Sequence, residues 1–130
     1  MELLEIEATD ESPQIRFDPN KGLLEINGKS LPEHIQEFYK PLEESVVKYV
    51  KNPLPVTNIM FNLLYLNSSS TKKILEIVTH FEEVAKKGLI VNFLWFYRED
   101  DEDMLEEGEG FAKLTDLPLQ LVVYKNNDQN

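Results

Sequence analysis

Leu63-Leu64-Tyr65-Leu66-Asn67-Ser68-Ser69-Ser70-Thr71-Lys72-Lys73-Ile74-Leu75 is the stretch on which the reading of this chain turns. An apolar run ends in four consecutive hydroxyl residues, and a helical apolar pattern begins at once. This order predicts a buried strand that enters a helix through a short polar turn. The backbone N–H groups of a first helical turn have no partners inside the helix. Such a turn favours negative charge, whether a bound anion or a covalently attached phosphate.

Working outward, Val56 to Leu66 is apolar at most positions, with Asn58 and Asn62 on one face. Its continuity predicts a central strand covered on both sides. The helix that follows is expected from about Ser70 to Lys87, with Ile74, Ile77, Val78, Phe81, Val84 and Ala85 at core spacing. Lys86, Lys87 and Gly88 suit its C-terminus. Leu89 to Tyr97 reads as the next buried strand. A helix from about Glu102 to Leu114 keeps Met104, Leu105, Phe111 and Ala112 on one side. Thr115-Asp116-Leu117-Pro118 then turns the chain into a last strand, Leu119 to Tyr124. Lys125 to Asn130 reads as a short frayed tail.

Toward the N-terminus, Leu3 to Glu7 alternates weakly, as a short edge strand does. Gln14 to Phe17 and Leu23 to Ile26 flank Asp18-Pro19-Asn20-Lys21-Gly22, the pattern of a hairpin. Asn27-Gly28 is expected to break its second strand. Ser30 and Glu33 stand at the spacing of a capped helix entry. Ile35, Phe38, Tyr39, Leu42, Val46, Tyr49 and Val50 share a helical face, interrupted at Pro41. The main helix is therefore placed from about Pro41 to Lys51, after a looser turn. The alternation of strands and helices implies an α/β fold: one domain over residues 1–130, with helices packed on a mixed or mostly parallel sheet.

Composition narrows the function. At 130 residues and 42% hydrophobic content the chain suits a single globular core. The absence of cysteine removes disulfides, thiol nucleophiles and cysteine metal sites. The net charge of −11 opposes binding to nucleic acid or anionic membranes, both of which require basic patches. No secretory signal pattern opens the sequence, and no apolar run approaches the ~20 residues of a membrane span. The expectation is a cytoplasmic protein whose targets are proteins.

Chemistry-bearing residues are sparse. The acidic run from Glu99 to Glu109 lacks the calcium-loop spacing and reads as a solvated face, so no metal site is expected. His34 and His80 have no triad or zinc spacing. The glycines form no phosphate loop, and no cofactor is implied. Trp95, Phe96 and Tyr97 read as core, or as core with one ring turned outward. An enzyme is not expected. The hydroxyl run remains, and residue pattern alone leaves two roles open there, helix cap and phosphoacceptor.

At these residues the chain resembles a family. Leu64-Tyr65-Leu66-Asn67-Ser68-Ser69-Ser70, followed by a basic helix start, is similar to the signature of the SiaC family of bacterial regulatory phosphoproteins. The resemblance takes in Leu31-Pro32-Glu33, the pair Phe38-Tyr39 and the region from Phe111-Ala112 to Leu117-Pro118. The family is in turn similar to STAS domains, the fold of the anti-sigma-factor antagonists, whose phosphoacceptor turn reads Asp-Ser-[Ser/Thr]-Gly. Here Asn67 replaces the carboxylate and Ser70 the glycine, which argues against an anti-sigma partner. The resemblance implies a STAS-like fold and phosphorylation at Ser68, with Asn67, Ser69, Ser70 and Thr71 shaping the turn. It implies a kinase with a histidine-kinase-like ATPase fold and an opposing PP2C-type phosphatase. The unmodified form would dock on and activate an effector such as a diguanylate cyclase. Lys72 and Lys73 are placed to balance the phosphate. The alternatives are a constitutive interaction module, an antagonist-like partner-switching protein without phosphorylation at Ser68, or a small enzyme that binds a phosphorylated metabolite at the turn.

Overall fold

The structure, a computed structural model, describes residues 2–125. In chain order its elements are β1 (Leu4–Ile6), β2 (Gln14–Asp18), β3 (Leu23–Ser30), α1 (Ile35–Tyr49), β4 (Val56–Leu66), α2 (Ser68–Lys86), β5 (Ile90–Arg98), α3 (Glu102–Leu114) and β6 (Leu119–Tyr124). The fold is α/β: a six-stranded mixed sheet and three helices. The strands lie side by side in sequence order. β1, β2 and β3 pair antiparallel, whereas β3 to β6 run parallel. The expected tail lies, beyond Lys125, outside the described residues.

Sheet order explains where the helices sit. Each parallel crossover is right-handed by preference, and each here steps to the next strand in the same direction. Successive right-handed crossovers in one direction put all their helices on one face. Paired residues in Leu4, Phe17, Leu24, Ile59, Phe93 and Leu119 make one row across the sheet on that face. Phe17, Leu24, Ile59 and Phe93 are fully buried. The α1 residue Tyr49 lies edge-on to Phe17, with ring centroids 5.5 Å apart. The α2 residue Phe81 lies 6.4 Å from Phe17. The α3 residue Phe111 packs 4.9 Å from Trp95, which itself lies 6.2 Å from Phe61.

The next row, Glu5, Arg16, Glu25, Met60, Leu94 and Gln120, belongs to the opposite face, where each residue is half-buried or exposed. The expectation that β4 is covered on both sides is thus corrected. Ile59, Phe61 and Leu63 are buried, while Val56, Asn58, Met60, Asn62 and Leu64 face away from the helices. A continuous apolar run does not by itself distinguish one covered face from two. Polar cross-strand pairs partly cover this open face. Asn92 donates to Asn58 at 2.9 Å, Asn27 to Gln14 at 2.7 Å, and the Tyr124 hydroxyl to Asn62 at 3.0 Å.

Three boundaries differ from the sequence reading. β3 continues through Asn27-Gly28, absorbing the glycine (φ +110°) near a register shift between Gly28 and Lys29. Ser30 is consequently the buried last residue of a strand and does not cap a helix. α1 begins at Ile35 and runs through Pro41 without a break. Pro41 is on the exposed side, and the buried stripe Tyr39, Leu42, Val46, Tyr49 holds the helix on either side of it. α2 begins at Ser68, two residues before the expected start, because of the cap described next.

Candidate functional site

Asn67 is the N-cap of α2. Its backbone is extended (φ −87°, ψ 170°), and its side-chain oxygen accepts from the Ser70 N–H at 2.8 Å. Its own N–H donates to the Ser30 carbonyl at 3.2 Å, tying the cap to the end of β3. Short polar side chains suit this position because they satisfy one of the unpartnered N–H groups.

The four hydroxyls then separate into two pairs. Ser70 is fully buried, and its Oγ accepts from the Ser30 hydroxyl at 2.8 Å. Ser30 also lies 2.6 Å from the Tyr39 hydroxyl. Tyr39–Ser30–Ser70 is therefore a buried chain of three hydroxyls joining α1, β3 and α2. Burial pushes the Tyr39 phenol up to about 12, with the Ser30 hydrogen bond pulling the other way. Thr71 is half-buried and donates to the Asn67 carbonyl at 3.2 Å and to Glu107 Oε1 of α3 at 3.0 Å. Ser68 and Ser69 are exposed, and no hydrogen bond among the described residues engages either hydroxyl. The cap function falls to Asn67, and Ser68 stands at the first helical position with its hydroxyl in solvent.

Lys73 does not serve the turn as the sequence suggested. It is buried between α1 and α2, 2.6 Å from Glu43, 2.8 Å from Gln36 and 3.5 Å from Glu76. Burial alone would lower its ammonium pKa; the hydrogen bond and charge of Glu43, with Glu76, outweigh that and hold it above its ordinary value. The Lys73 hydrogen bond in turn holds the Glu43 carboxyl below its usual range, with His80, 3.3 Å away, assisting. Lys72 remains exposed beside Ser69.

The other candidates are placed as follows. His80 is an ordinary partner of Glu43, and exposed His34 lies 3.9 Å from Glu33. Trp95 is buried and donates to the Met104 carbonyl at 2.9 Å, while Phe96 turns to the open face and is half-buried. Among the described residues no three acidic or histidine side chains converge as a metal site requires. Sequence reasoning missed Ser30, Tyr39 and Glu107. Their partners lie 40, 9 and 36 residues away, and no local pattern records those pairings.

Comparison with known proteins covers most of the chain. The profile of the SiaC family regulatory phosphoproteins matches residues 6–124. The chain belongs to that family. An uncharacterized protein of Pseudomonas aeruginosa (strain UCBPP-PA14) is 29% identical over 118 residues, covering 91% of this chain and 94% of that protein. The crystal structure of apo-SiaC from Pseudomonas aeruginosa superimposes with a TM-score of 0.85 at 29% identity, covering 94% of this chain and 99% of that one. A chain in the crystal structure of the diguanylate cyclase SiaD in complex with its activator SiaC, from the same organism, gives a TM-score of 0.87 at 28% identity. That match covers 93% of this chain and 99% of that one. Membership of the SiaC family makes this a regulatory protein and not an enzyme. Among the described residues no helix is long and apolar enough to cross a membrane.

Proposed function

We propose that this protein is a single-domain, cytoplasmic docking module controlled by phosphorylation at Ser68, whose unmodified form binds and activates a diguanylate cyclase. The observation that carries the reading is the division of the hydroxyl run. Ser70 and Thr71 are committed to the fold, whereas Ser68 is exposed at the first turn of α2. Membership of a family of regulatory phosphoproteins supports modification, and the SiaD–SiaC complex supports an effector of the cyclase class.

The chemistry is phosphoryl transfer from ATP. The Ser68 hydroxyl oxygen attacks the γ-phosphorus, the bond to the β-phosphate oxygen breaks, and ADP leaves. The hydroxyl proton passes to a base of the kinase. The kinase has a histidine-kinase-like ATPase fold, and a PP2C-type phosphatase hydrolyses the ester. A phosphoserine carries about −1.5 to −2 charges at pH 7. At a helix N-terminus the dipole tolerates that charge, so the domain stays folded. In a docked interface the same charge would lose its water, and the partner is released.

The test is binding of the cyclase to wild type, Ser68→Ala and Ser68→Asp, alongside intact-mass and peptide analysis of protein from native cells. Phosphate on Ser68, retained binding by Ser68→Ala and lost binding by Ser68→Asp are expected. Equal binding by both variants would sink the switch. Phosphate found only on Ser69, the other exposed hydroxyl, would move the site by one residue.

A further inference from the structure

We propose that Glu107 reads the state of Ser68 and transmits it to α3, so that phosphorylation loosens this helix from the sheet. The proposal rests on the reading of Ser68 as the modified residue. Its starting point is the hydrogen bond from Thr71 to Glu107, a side-chain tie between the first turn of α2 and the body of α3. Ser68 and Thr71 are three residues apart on one helix, so their side chains are neighbours, with Cβ atoms about 5–6 Å apart. A phosphate on Ser68 is therefore set beside the Glu107 carboxylate with only Thr71 between.

Two effects then act in the same direction. The phosphate repels Glu107, which is half-buried and so less screened than a surface charge. Its three oxygens, charged like the carboxylate and more numerous, also compete for the single Thr71 hydroxyl proton. Lys72 offers little relief, because it lines a cavity with Ile35, Gln36 and Ser69 on the α1 side of the turn. On the α3 side, a cavity of about 250 Å³ is lined by Tyr65, Leu66, Met104 and the acidic residues Asp103, Glu106 and Glu107. The helix thus has room to shift, and its own negative charge favours separation.

α3 is the helix suited to respond. Gly108 and Gly110 lower its intrinsic helix preference, so it depends on its seat. That seat is narrow: only Met104, Gly108 and Phe111 are buried, and all three meet Trp95. Trp95 is the one tryptophan of the sequence, and it reports on this contact directly.

The experiment places phosphoserine at position 68 by genetic encoding, in wild-type and Glu107→Gln backgrounds. Trp95 emission and hydrogen exchange are measured, with cyclase binding followed separately. Phosphoserine is expected to shift Trp95 emission to longer wavelength and to reduce protection over Glu102–Leu114. Glu107→Gln should diminish both readouts, since the amide still accepts from Thr71 but is not repelled, leaving only the competition for the Thr71 proton. Unchanged emission and protection would overturn the proposal even if cyclase binding is lost, and the docking switch would then stand without α3. A shift of undiminished size in Glu107→Gln would also overturn it. So would equal loss of protection in β4, which marks general loosening. Retained cyclase binding would refute the switch itself, a separate result read in a separate measurement.

Discussion

Two glycines of α3, two residues apart, are expected to respond to alanine with opposite sign. A Cβ built on Gly108 lies 2.6 Å from Trp95 Cδ1, 2.7 Å from Trp95 Nε1 and 2.6 Å from Leu121 Cδ2. Ordinary carbon contacts are about 3.5–4.0 Å, so something must move by about 1 Å. Leu121 is 38% exposed and can swing aside. Trp95 is 1% exposed, packed against Phe111 and hydrogen-bonded to the Met104 carbonyl, so α3 itself must lift. Overpacking of this kind costs about 1–3 kcal/mol, against a gain of about 1 kcal/mol in helix propensity. Gly108→Ala should therefore destabilise by about 1 kcal/mol. Gly110 has nothing within 4 Å of its virtual Cβ, so Gly110→Ala should stabilise by about 0.5–1 kcal/mol. At roughly 4 °C per kcal/mol for a domain of this size, the variants should melt roughly 6–8 °C apart. Chemical denaturation read by far-UV circular dichroism and by Trp95 fluorescence gives the comparison. Equal stabilisation by both alanines would refute the seating of α3 on Trp95, and with it the physical basis for coupling through that helix.

Further outcomes follow from the same contacts. Asn67→Ala should cost about 1 kcal/mol as a lost cap, while Ser68→Ala, an exposed position, should stay within about 0.5 kcal/mol of wild type in the same melts. Tyr39 has a folded pKa raised from 10.0 to about 12, so its contribution is present below pH 10 and is lost as pH rises from there toward 12. The loss should reach roughly 3 kcal/mol, and in Tyr39→Phe this segment of the alkaline stability curve should flatten. Glu43 has a folded pKa below its ordinary value, so its contribution is present above the usual carboxylate range and is lost as pH falls through and below it. Glu43→Gln, which leaves the buried Lys73 ammonium with the weaker partners Gln36 and Glu76, should cost about 2–3 kcal/mol at neutral pH and weaken the acid dependence.

Element types were legible where periodicity was long. Ile74 to Val84 and Met104 to Phe111 carry the helical repeat on which the structure builds α2 and α3. The errors fall where a distant contact overrides a local signal. Asn27-Gly28 has the chemistry of a strand end, but pairing with β4 carries β3 to Ser30. Pro41 has the chemistry of a break, but its exposed side lets the buried stripe of α1 pass it. The site was legible as a run of hydroxyls and no further. Which of them reach solvent depends on Ser30, Tyr39 and Glu107, supplied by other elements. Lys73 was misread for the same reason: nothing near it in sequence announces Glu43, thirty residues away.

The agreement between strand order and sequence order bears on how the chain assembles. Every strand after the first pairs with the one before it, so once β2 is made no strand waits for a later segment before its first ladder can form. Loop closures stay short, which favours fast folding. A chain emerging from the ribosome can add one strand and one helix at a time to a sheet already begun. On that order α3 and β6 join last, onto a scaffold that already holds Ser30, Tyr39 and Ser70 together. The α2 turn is then built before α3 is seated beside it.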